Sequence, residues 1–375
     1  MKIVFTGGGT GGHVFPLVAI IREIRRIYPE TSQRKSLELY YLGPKDDFGV
    51  VLLKQEDLII KTIISGKIRR YFDWRNFIDI LFKIPFGFVQ SFFILLFMRP
   101  NLVFSKGGSG SISVTFAAKL LNIPVFLHES DTVPGLSNRQ TSKWAKKIFT
   151  SFPKTELFNQ EKIILTGNPI RAEILNGDKE KAGVLFNLTF SKPVILIIGG
   201  SQGAEALNDF VLLILNDLLK NYELIHVTGK ENFKETVAEA QVVIDKNLDK
   251  YYHPIGFLNE DQTKHAYKVA DIIVSRAGAS GIFEIAATGK PSILVPLPSA
   301  AGDHQSKNAY EYANTGAAEI IEQENLTPNF FIGKLQLLFL HPEQLEKMLQ
   351  AALTFAKPLA AREIAREILE FLMIK

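Results

Sequence analysis

The segment KIVFTGGGTGGH, residues 2–13, decides the fold, because a short apolar run passes directly into a cluster of glycines. Residues 3–5 are all apolar, which is typical of a strand buried on both faces, and residues 16–27 have the apolar spacing of a helix. Backbone N–H groups at a helix N-terminus favour a diphosphate or another anion. The segment therefore predicts a strand, a tight glycine turn that binds an anion, and a helix.

The glycine turn has other interpretations. The glycines of residues 7–12 match the G-x-G-x-x-G pattern of dinucleotide sites, but such a site needs an acid where the second strand ends, and here Asp46 and Asp47 lie further along the chain. His13 stands where a phosphate-binding P-loop requires lysine. A tight turn without any ligand remains an alternative.

Size and composition indicate a globular protein of two domains. The chain has 375 residues, of which 46% are hydrophobic and 22% are charged. A formal charge of +4 spread over this length does not indicate nucleic-acid binding. The absence of cysteine excludes disulfides and thiolate metal sites, and we expect a cytoplasmic protein because the N-terminal apolar run is too short for a secretory signal.

Apolar runs and helical patterns alternate along the whole chain, which is typical of α/β domains with a doubly wound parallel sheet. The rhythm restarts after the turn-rich stretch TGNPIR. We predict an N-terminal domain of residues 1–165, onto which a last helix at about 358–375 packs back, and a C-terminal domain of residues 166–357, with the ligand site in a cleft between them. The predicted strands are residues 3–5, 39–42, 102–105, 125–128, 193–198, 224–227, 271–275 and 292–296, and residues 204–219 are predicted as one helix.

Two more glycine loops lie in the second half of the chain. The loop GGSQGA, residues 199–204, joins a predicted strand to a predicted helix, and the small residues 277–281 precede a short helix that contains Glu284. Glycine loops in both halves favour two phosphorylated ligands over a single cofactor.

With these stretches in place, the sequence resembles the MurG family, the glycosyltransferases that add N-acetylglucosamine to the lipid-linked muramyl-peptide precursor of peptidoglycan. Their order and spacing together are specific, and the resemblance spans nearly the whole chain. The matching stretches are GGGTGGHVFP (residues 7–16), HES (128–130), GLSNR (135–139), TGNPIR (166–171), GGSQGA (199–204), GASGIFEIAATGKP (278–291) and DHQSKNA (303–309).

The resemblance implies a GT-B architecture of two Rossmann-like domains. It places UDP-N-acetylglucosamine mainly on the C-terminal half and the undecaprenyl-diphosphate-muramyl-peptide acceptor on the N-terminal half. The implied donor residues are Thr10, Gly11, Gly12, Asp131, Arg171, Ser201, Leu258, Ala279, Ser280, Gly281, Ile282, Phe283, Glu284 and Gln305. The implied acceptor residues are Gly9, Ser109, His128 and Glu129.

Several of these residues have expected roles. Glu284 resembles the carboxylate that accepts hydrogen bonds from the uridine ribose, and Ser201 resembles a diphosphate contact. Arg171 is expected as a donor-site cation and the backbone of Leu258 as a contact to uracil. Gln305, beside His304, falls where the sugar hydroxyls are recognised.

The resemblance also implies an inverting displacement, in which an acceptor hydroxyl attacks the anomeric carbon and UDP leaves. We expect His13 to be the base, because imidazole titrates near neutrality. Helix N-termini are expected to stabilise the departing diphosphate, so that neither a metal site nor a cofactor is predicted. The alternative for His13 is that it only stabilises its loop through hydrogen bonds. Three alternative functions remain: transfer to another lipid acceptor, a UDP-N-acetylglucosamine epimerase, or an inactive nucleotide-sugar binder that keeps Glu284 and does not need His13.

The sequence departs from the family pattern in loops expected to face ligands. Asp131 stands where the family commonly has asparagine, and a carboxylate cannot donate the hydrogen bond that an amide donates. Ser109 replaces an aromatic residue, and Ser280 and Gly281 replace bulkier ones.

The stretch of residues 66–99 concentrates basic side chains with Trp74 and many phenylalanines. Its longest uncharged run, residues 84–98, is shorter than the ~20 residues of a spanning helix. We therefore expect this stretch to lie on the inner face of the cytoplasmic membrane as a peripheral contact. Helices packed within the N-terminal domain are the alternative.

Overall fold

Strand β1 (Lys2–Thr6) is enclosed, and its side chains alternate between two cores. Ile3 and Phe5 pack in one cluster with helix α1 (Gly11–Thr31), whereas Val4 lies in a second cluster on the opposite face of the sheet. Because side chains alternate along a strand, a run that is apolar at every position has to be covered on both faces. The opening segment therefore places β1 in the middle layer of an α/β unit.

The computed structural model describes residues 1–8, 11–31, 36–45, 47–66, 74–153, 157–200 and 204–374. The chain forms two units, each built around a parallel sheet, which confirms the predicted fold class. The first unit comprises Met1–Arg171 and Lys357–Lys375, and the second comprises Ala172–Ala356. The first unit thus continues to Arg171 and not to residue 165.

The first unit has a seven-stranded sheet in the order β3-β2-β1-β4-β5-β6-β7, with every neighbouring pair parallel. Its remaining strands are β2 (Glu38–Pro44), β3 (Ile59–Ile63), β4 (Leu102–Ser105), β5 (Val125–Glu129), β6 (Lys147–Thr150) and β7 (Ile163–Leu165). Its remaining helices, before the C-terminal one, are α2 (Asp47–Gln55), α3 (Arg75–Ile78), α4 (Ile84–Met98), α5 (Ser111–Leu120) and α6 (Leu136–Thr141).

Helix α4 has one packed face and one exposed face. Gly87, Ser91 and Leu95, spaced four residues apart, are buried, and a Cβ on Gly87 would lie 2.1 Å from the backbone oxygen of Ile64. A π-helical turn, Asp79–Lys83, continues into α4 and gives a segment of 20 residues that is long and apolar enough to cross a membrane by length and composition alone. This segment is longer than the uncharged run of residues 84–98, because it also contains residues 79–83. Two of these, Asp79 and Lys83, are charged and form an ion pair.

The second unit has a six-stranded parallel sheet in the order β10-β9-β8-β11-β12-β13. Its strands are β8 (Val194–Ile198), β9 (Glu223–Val227), β10 (Tyr252–Ile255), β11 (Ile272–Ser275), β12 (Ser292–Leu294) and β13 (Ala318–Ile320). Its helices are α7 (Lys179–Phe186), α8 (Glu205–Leu213), α9 (Leu215–Asn221), α10 (Phe233–Val243), α11 (Glu260–Val269), α12 (Ala279–Ala287), α13 (His304–Ala313), α14 (Pro328–Leu340) and α15 (Pro342–Phe355).

The prediction of one helix over residues 204–219 is wrong. The segment is divided into α8 and α9 at Ile214, whose φ of −108° and ψ of 10° leave helical geometry. Both parts still bury leucines in the same core, so the apolar spacing resembles that of one continuous helix.

The last helix, α16 (Ala360–Met373), completes the first unit. Its apolar residues recur at helical spacing, from Ala361 through Ile364 and Ile368 to Leu372, and they join the cluster that contains β1 and α1. Lys147 on β6 forms an ion pair with Glu367 on this helix. The chain therefore returns to the first sheet after the second unit is complete.

A buried polar network lies in the second unit around His226 on β9. Asn208 donates its Nδ2 hydrogen to the backbone oxygen of Thr228, so its Oδ1 atom accepts from His226 Nε2 at 3.1 Å. His226 Nδ1 then accepts from the Tyr252 hydroxyl at 2.9 Å. Burial lowers the pKa of His226 to about 3, which keeps the imidazole neutral.

This network predicts a loss of stability in mild acid. The unfolded chain protonates His226 below its ordinary pKa of about 6.5, whereas the folded chain does so only near 3, so the free energy of unfolding falls by up to about 1.4 kcal/mol per pH unit between these values. We expect His226→Gln to reduce the difference in stability between about pH 7.5 and about pH 5.5, measured by urea denaturation. The exposed His341→Gln is the control, and an unchanged pH difference in His226→Gln would contradict the assignment.

Candidate functional site

The first sheet changes winding direction between β1 and β4. The two strands are neighbours, and the chain passes from β1 to β2 on one side and from β4 to β5 on the other. In doubly wound sheets, ligands bind at the carboxyl ends of the strands at such a switch point. The loops that follow β1 and β4 are therefore the first candidate site.

These two loops touch through their backbones. Gly108, with φ of +94°, lies so close to Gly8 that a Cβ would be 2.5 Å from the Gly8 backbone oxygen. Gly107, with φ of +85°, lies equally close to the side chain of Asn138. A larger residue at Gly108 would separate the two loops, and one at Gly107 would displace Asn138 on α6, so both glycines are required by their contacts.

The residues at the start of α1 lie beside Arg171. Gly11 is buried, Gly12 is exposed and His13, the third residue of the helix, is half-buried. The guanidinium of Arg171 lies 4.3 Å from the ring centre of Phe15, two residues after His13. Arg171 therefore belongs to the first unit and packs against the first turns of α1. The predicted residues Gly9, Thr10 and Ser201 lie outside the described residues.

Glu129, at the end of β5, holds the following loop. Its carboxylate accepts from the backbone N–H groups of Asp131 and Gly135, both at 3.1 Å, and from Asn138 Nδ2 at 2.9 Å. Burial, together with the nearby Asp131 charge, raises the pKa of Glu129. The loop that carries Asp131 is thus fixed by a buried carboxylate.

His128 precedes Glu129 and is also buried. Its Nε2 atom lies 3.2 Å from the backbone oxygen of Gly167, which can only accept, so Nε2 carries the proton. Burial, reinforced by the charge of Lys106, moves the pKa of His128 well below its ordinary value. The imidazole is therefore neutral and connects β5 to the TGNPIR stretch.

Lys106 is the main residue of this region to which the sequence assigned no role. It follows β4 directly and is buried, and its ammonium donates to Ser130, which in turn donates to Asn168 Oδ1 at 2.9 Å. Burial lowers the pKa of Lys106, while Glu129 and Asp131 counteract the shift. The sequence pattern that could have indicated this role is a lysine at the end of a buried strand, directly before a pair of glycines. A lysine that is buried at such a position needs a hydrogen-bond partner.

Ser109 and Asp131 are both half-buried. Ser109 lies in the turn before α5, whose N-cap position is Gly110 and has no side-chain cap. Asp131 donates its backbone N–H to Glu129. The structure thus brings Ser109, Asp131, His128 and Glu129 to the carboxyl edge of the first sheet.

The second sheet has its own switch point, between β8 and β11. Gly200, with φ of +94°, follows β8, and Gly278 follows β11; among the residues that the structure describes, a Cβ on either would meet no atom within 4 Å. Packing therefore does not demand these two glycines. Their open surroundings instead allow a ligand to approach the backbone closely.

Helix α12 begins at this second switch point, directly after Gly278. Its N-terminal amides have no side-chain cap. Ile282 and Phe283 are buried, with the Phe283 ring 5.0 Å from that of Phe355, so only their backbone groups are candidates for ligand contact. Ser280, Gly281 and Glu284 are half-buried, while Ala279 is buried. The side chains that remain partly accessible at the start of α12 are thus small or polar.

Gln305 and Leu258 both lie in the second unit, Gln305 after β12 and Leu258 after β10. Gln305, the second residue of α13, accepts the backbone N–H of Leu297 at 3.0 Å through Oε1. Leu258 is buried directly before Asn259, which caps α11. Gln305 thus ties a loop to the start of α13, and Leu258 lies at the start of a different helix, α11.

Arg276 also lacked an assigned role. It follows β11, and its buried guanidinium donates to the backbone oxygen of Val295 at 3.1 Å and to Gln323 Oε1 at 2.7 Å. The side chain thereby connects the loops that follow three neighbouring strands. Arg276 in the second unit and Lys106 in the first each follow the fourth strand of their unit directly.

Family models match both units. The N-terminal domain of glycosyltransferase family 28 matches residues 3–150, and the C-terminal domain of the same family matches residues 194–364. Among curated proteins, two UDP-N-acetylglucosamine--N-acetylmuramyl-(pentapeptide) pyrophosphoryl-undecaprenol N-acetylglucosamine transferases are similar to the chain. The one from Clostridium kluyveri is 38% identical over 90% of this chain and 91% of its own. The one from Treponema denticola is 36% identical over 100% of this chain and 98% of its own.

Solved structures agree with these matches. The crystal structure of Acinetobacter baumannii MurG has a TM-score of 0.73 at 28% identity and covers 98% of this chain and 99% of that one. The UDP-GlcNAc 2-epimerase from Neisseria meningitidis, bound to UDP-GlcNAc, has a TM-score of 0.70 at 14% identity, covering 99% of this chain and 100% of that one. At that identity the second likeness concerns the fold alone.

Proposed function

This chain belongs to glycosyltransferase family 28, and from that premise we propose that it transfers N-acetylglucosamine from UDP-N-acetylglucosamine to the lipid-linked muramyl-peptide acceptor named for its relatives. The observation that carries the proposal is a glycine-lined switch point in each unit, since the donor and the acceptor each contain a diphosphate. Identities of 36–38% to transferases favour this reaction over an epimerase, for which only the fold is similar.

The donor site is proposed at the switch point of the second unit. The open backbone at Gly200 and Gly278 supports a diphosphate there, because the uncapped amides of α12 carry the positive end of the helix dipole. Glu284, on the half-buried face of the same helix, would accept the ribose hydroxyls. Gln305 uses its oxygen for Leu297, which leaves its amide hydrogens as the group for a sugar hydroxyl. The Leu258 backbone would contact the uracil.

The acceptor site is proposed at the switch point of the first unit. The loops at Gly8 and Gly108, with Ser109 beside them, would hold the acceptor diphosphate. Arg171, expected as a donor-site cation, also lies in this unit, against Phe15 of α1. Glu129 and His128 would act by fixing the loop around Asp131, because both side chains are buried and already hydrogen-bonded.

The proposed reaction is a single displacement. His13 accepts the proton of the acceptor hydroxyl while its oxygen forms a bond to the anomeric carbon, and the bond from that carbon to the UDP oxygen breaks. UDP leaves with the electron pair, and the negative charge that develops on its diphosphate is stabilised by the α12 amides. His13 returns its proton to solvent.

Helix α4 supports a peripheral membrane contact. Phe86, Phe93 and Phe97 share the face opposite to its buried residues and are exposed, Phe97 by 81%, and Phe82 in the preceding π-helical turn is exposed as well. Exposed Lys83 and Arg99 lie near the two ends of the helix and suit anionic headgroups. The other face packs into the first unit, and only residues 99–101 separate α4 from β4. We therefore propose that the helix lies on the inner face of the cytoplasmic membrane and does not cross it.

The first prediction from this proposal concerns transfer itself. Incubation of the purified chain with radiolabelled UDP-N-acetylglucosamine should place label in the lipid phase only when the lipid-diphosphate-muramyl-peptide acceptor is present. His13→Ala should lower kcat by about 10²–10⁴-fold with donor KM nearly unchanged, because a general base contributes that much. His341→Ala, on an exposed residue, should keep full activity.

Two outcomes would contradict these assignments. Isomerisation of the donor without acceptor would identify an epimerase, and label transferred to diacylglycerol in preference to the muramyl peptide would identify a different acceptor. Normal turnover in His13→Ala would remove this residue as the base.

The second prediction concerns the donor site. Glu284→Ala should weaken UDP binding by about 1–3 kcal/mol, because the ribose hydroxyls lose their acceptor. Calorimetry with UDP measures the change. Glu235→Ala, an exposed glutamate on α10, is the matched control. Equal UDP affinity in wild type and Glu284→Ala would place Glu284 outside the donor site.

The third prediction concerns the membrane. Changing Phe86, Phe93 and Phe97 to serine should abolish flotation with anionic liposomes, because burial of these rings in the interface provides the attraction. The matched control changes three exposed apolar residues of the second unit to serine. They are Val184, Val242 and Leu340, exposed by 87%, 85% and 75%. Equal flotation of the two triple variants would argue against contact through α4, provided that circular dichroism shows both to be folded.

A further inference from the structure

A pocket of about 300 Å³ lies between α4, α5, the end of α6 and the turn that follows α6. No ionised side chain is among the described residues that line it. The lining includes Ile84 and Phe88 of α4, Ile112 and Phe116 of α5, and Gln140 and Trp144.

The aromatic residues of the pocket form a connected wall. The ring centres of Phe88 and Phe116 are 5.4 Å apart, and those of Phe116 and Trp144 are 5.9 Å apart. The isoleucines add branched aliphatic surface. Such a wall fits a hydrocarbon chain.

The pocket begins one helical turn from the acceptor loop. Gly108 touches Gly8, Ser109 follows, and Ile112 already lines the pocket from the first turn of α5. One turn of helix rises about 5.4 Å, so a chain attached to a diphosphate at the glycine loops reaches the pocket without a long spacer.

The pocket lies on the packed side of α4, not on its exposed face. Ile84 and Phe88 line the pocket, while Phe86, between them in sequence, belongs to the exposed aromatic face. Along the unit the glycine loops are therefore followed by the apolar pocket, and the body of α4 separates the pocket from the exposed aromatic face. A polyprenyl diphosphate has the same order of chemistry, from its charged head to its chain.

We propose that this pocket binds the isoprene units nearest to the diphosphate of the acceptor. The inference rests on the proposed lipid-linked acceptor and adds a recognition site for its chain. An engineered cavity of about 150 Å³ in another protein accepts one benzene molecule, so about 300 Å³ accommodates roughly two five-carbon isoprene units. The pocket thereby draws the head of the acceptor out of the bilayer and aligns its diphosphate with the glycine loops.

The test uses the fluorescence of Trp144. The sequence has two tryptophans, so Trp74→Phe in the full chain leaves Trp144 as the single reporter. Titration with geranyl diphosphate should shift its emission to shorter wavelength. Affinity should increase by about tenfold or more from dimethylallyl to geranyl diphosphate, because five more carbons become buried, and should change little from geranyl to farnesyl diphosphate, because the pocket is then full.

Two variants on α5 provide a matched comparison in the same Trp74→Phe background. Ile112→Asp places a charge in the pocket wall and should weaken geranyl diphosphate by about tenfold or more. Leu120→Asp makes the same change at an exposed position of the same helix, outside the pocket lining, and should leave the affinity within about twofold. Liposome flotation should be equal for both, since α4 is intact in each.

Several results would overturn the inference. They are the absence of an emission shift, an affinity that does not depend on chain length, equal binding by Ile112→Asp and Leu120→Asp, and an Ile112-dependent shift caused by phosphatidylglycerol vesicles alone, which would identify an acyl chain as the occupant. The binding assay needs no turnover, so its failure is distinct from failure of the transfer assay. Prenyl binding without transfer would instead contradict the proposed function.

Discussion

The contact between Gly8 and Gly108 is the constraint on which the candidate acceptor site depends. Two backbones meet there with no room for a Cβ, so the loops after β1 and β4 are held at a distance that a side chain would increase. Helices α1 and α5 both start within a few residues of this contact. The positions of His13 and Ser109, and of the pocket along α5, follow from it.

A buried cation supports each switch point. Lys106 in the first unit and Arg276 in the second directly follow the fourth strand and tie neighbouring loops together. A buried charge is costly unless it is paired, so each cation requires its partner loops to remain in place. In both units the buried cation thus fixes loops that have few side chains of their own. Such loops suit sites where backbone amides bind an anion.

Glycine occurs at the two switch points for different physical reasons. In the first unit the glycines allow backbone to contact backbone, whereas Gly200 and Gly278 in the second unit face open space. The first arrangement gives a rigid edge that continues into an apolar pocket, and the second leaves room for a ligand at the start of α12. This difference agrees with a lipid-linked acceptor on one unit and a nucleotide sugar on the other.

Much of the architecture could be predicted from the sequence, because buried parallel strands such as residues 3–5 are apolar at every position and glycine loops mark their ends. Short or half-exposed strands such as β3 and β7 lack that signal, and the break at Ile214 leaves the apolar spacing unchanged. The sequence by itself determined the two sheets, the family and the glycine loops. Only the tertiary structure decided that Glu129 and His128 are buried supports, that Lys106 and Arg276 hold the loops, and that α4 and α5 enclose a pocket, because these properties depend on contacts between residues far apart in the chain.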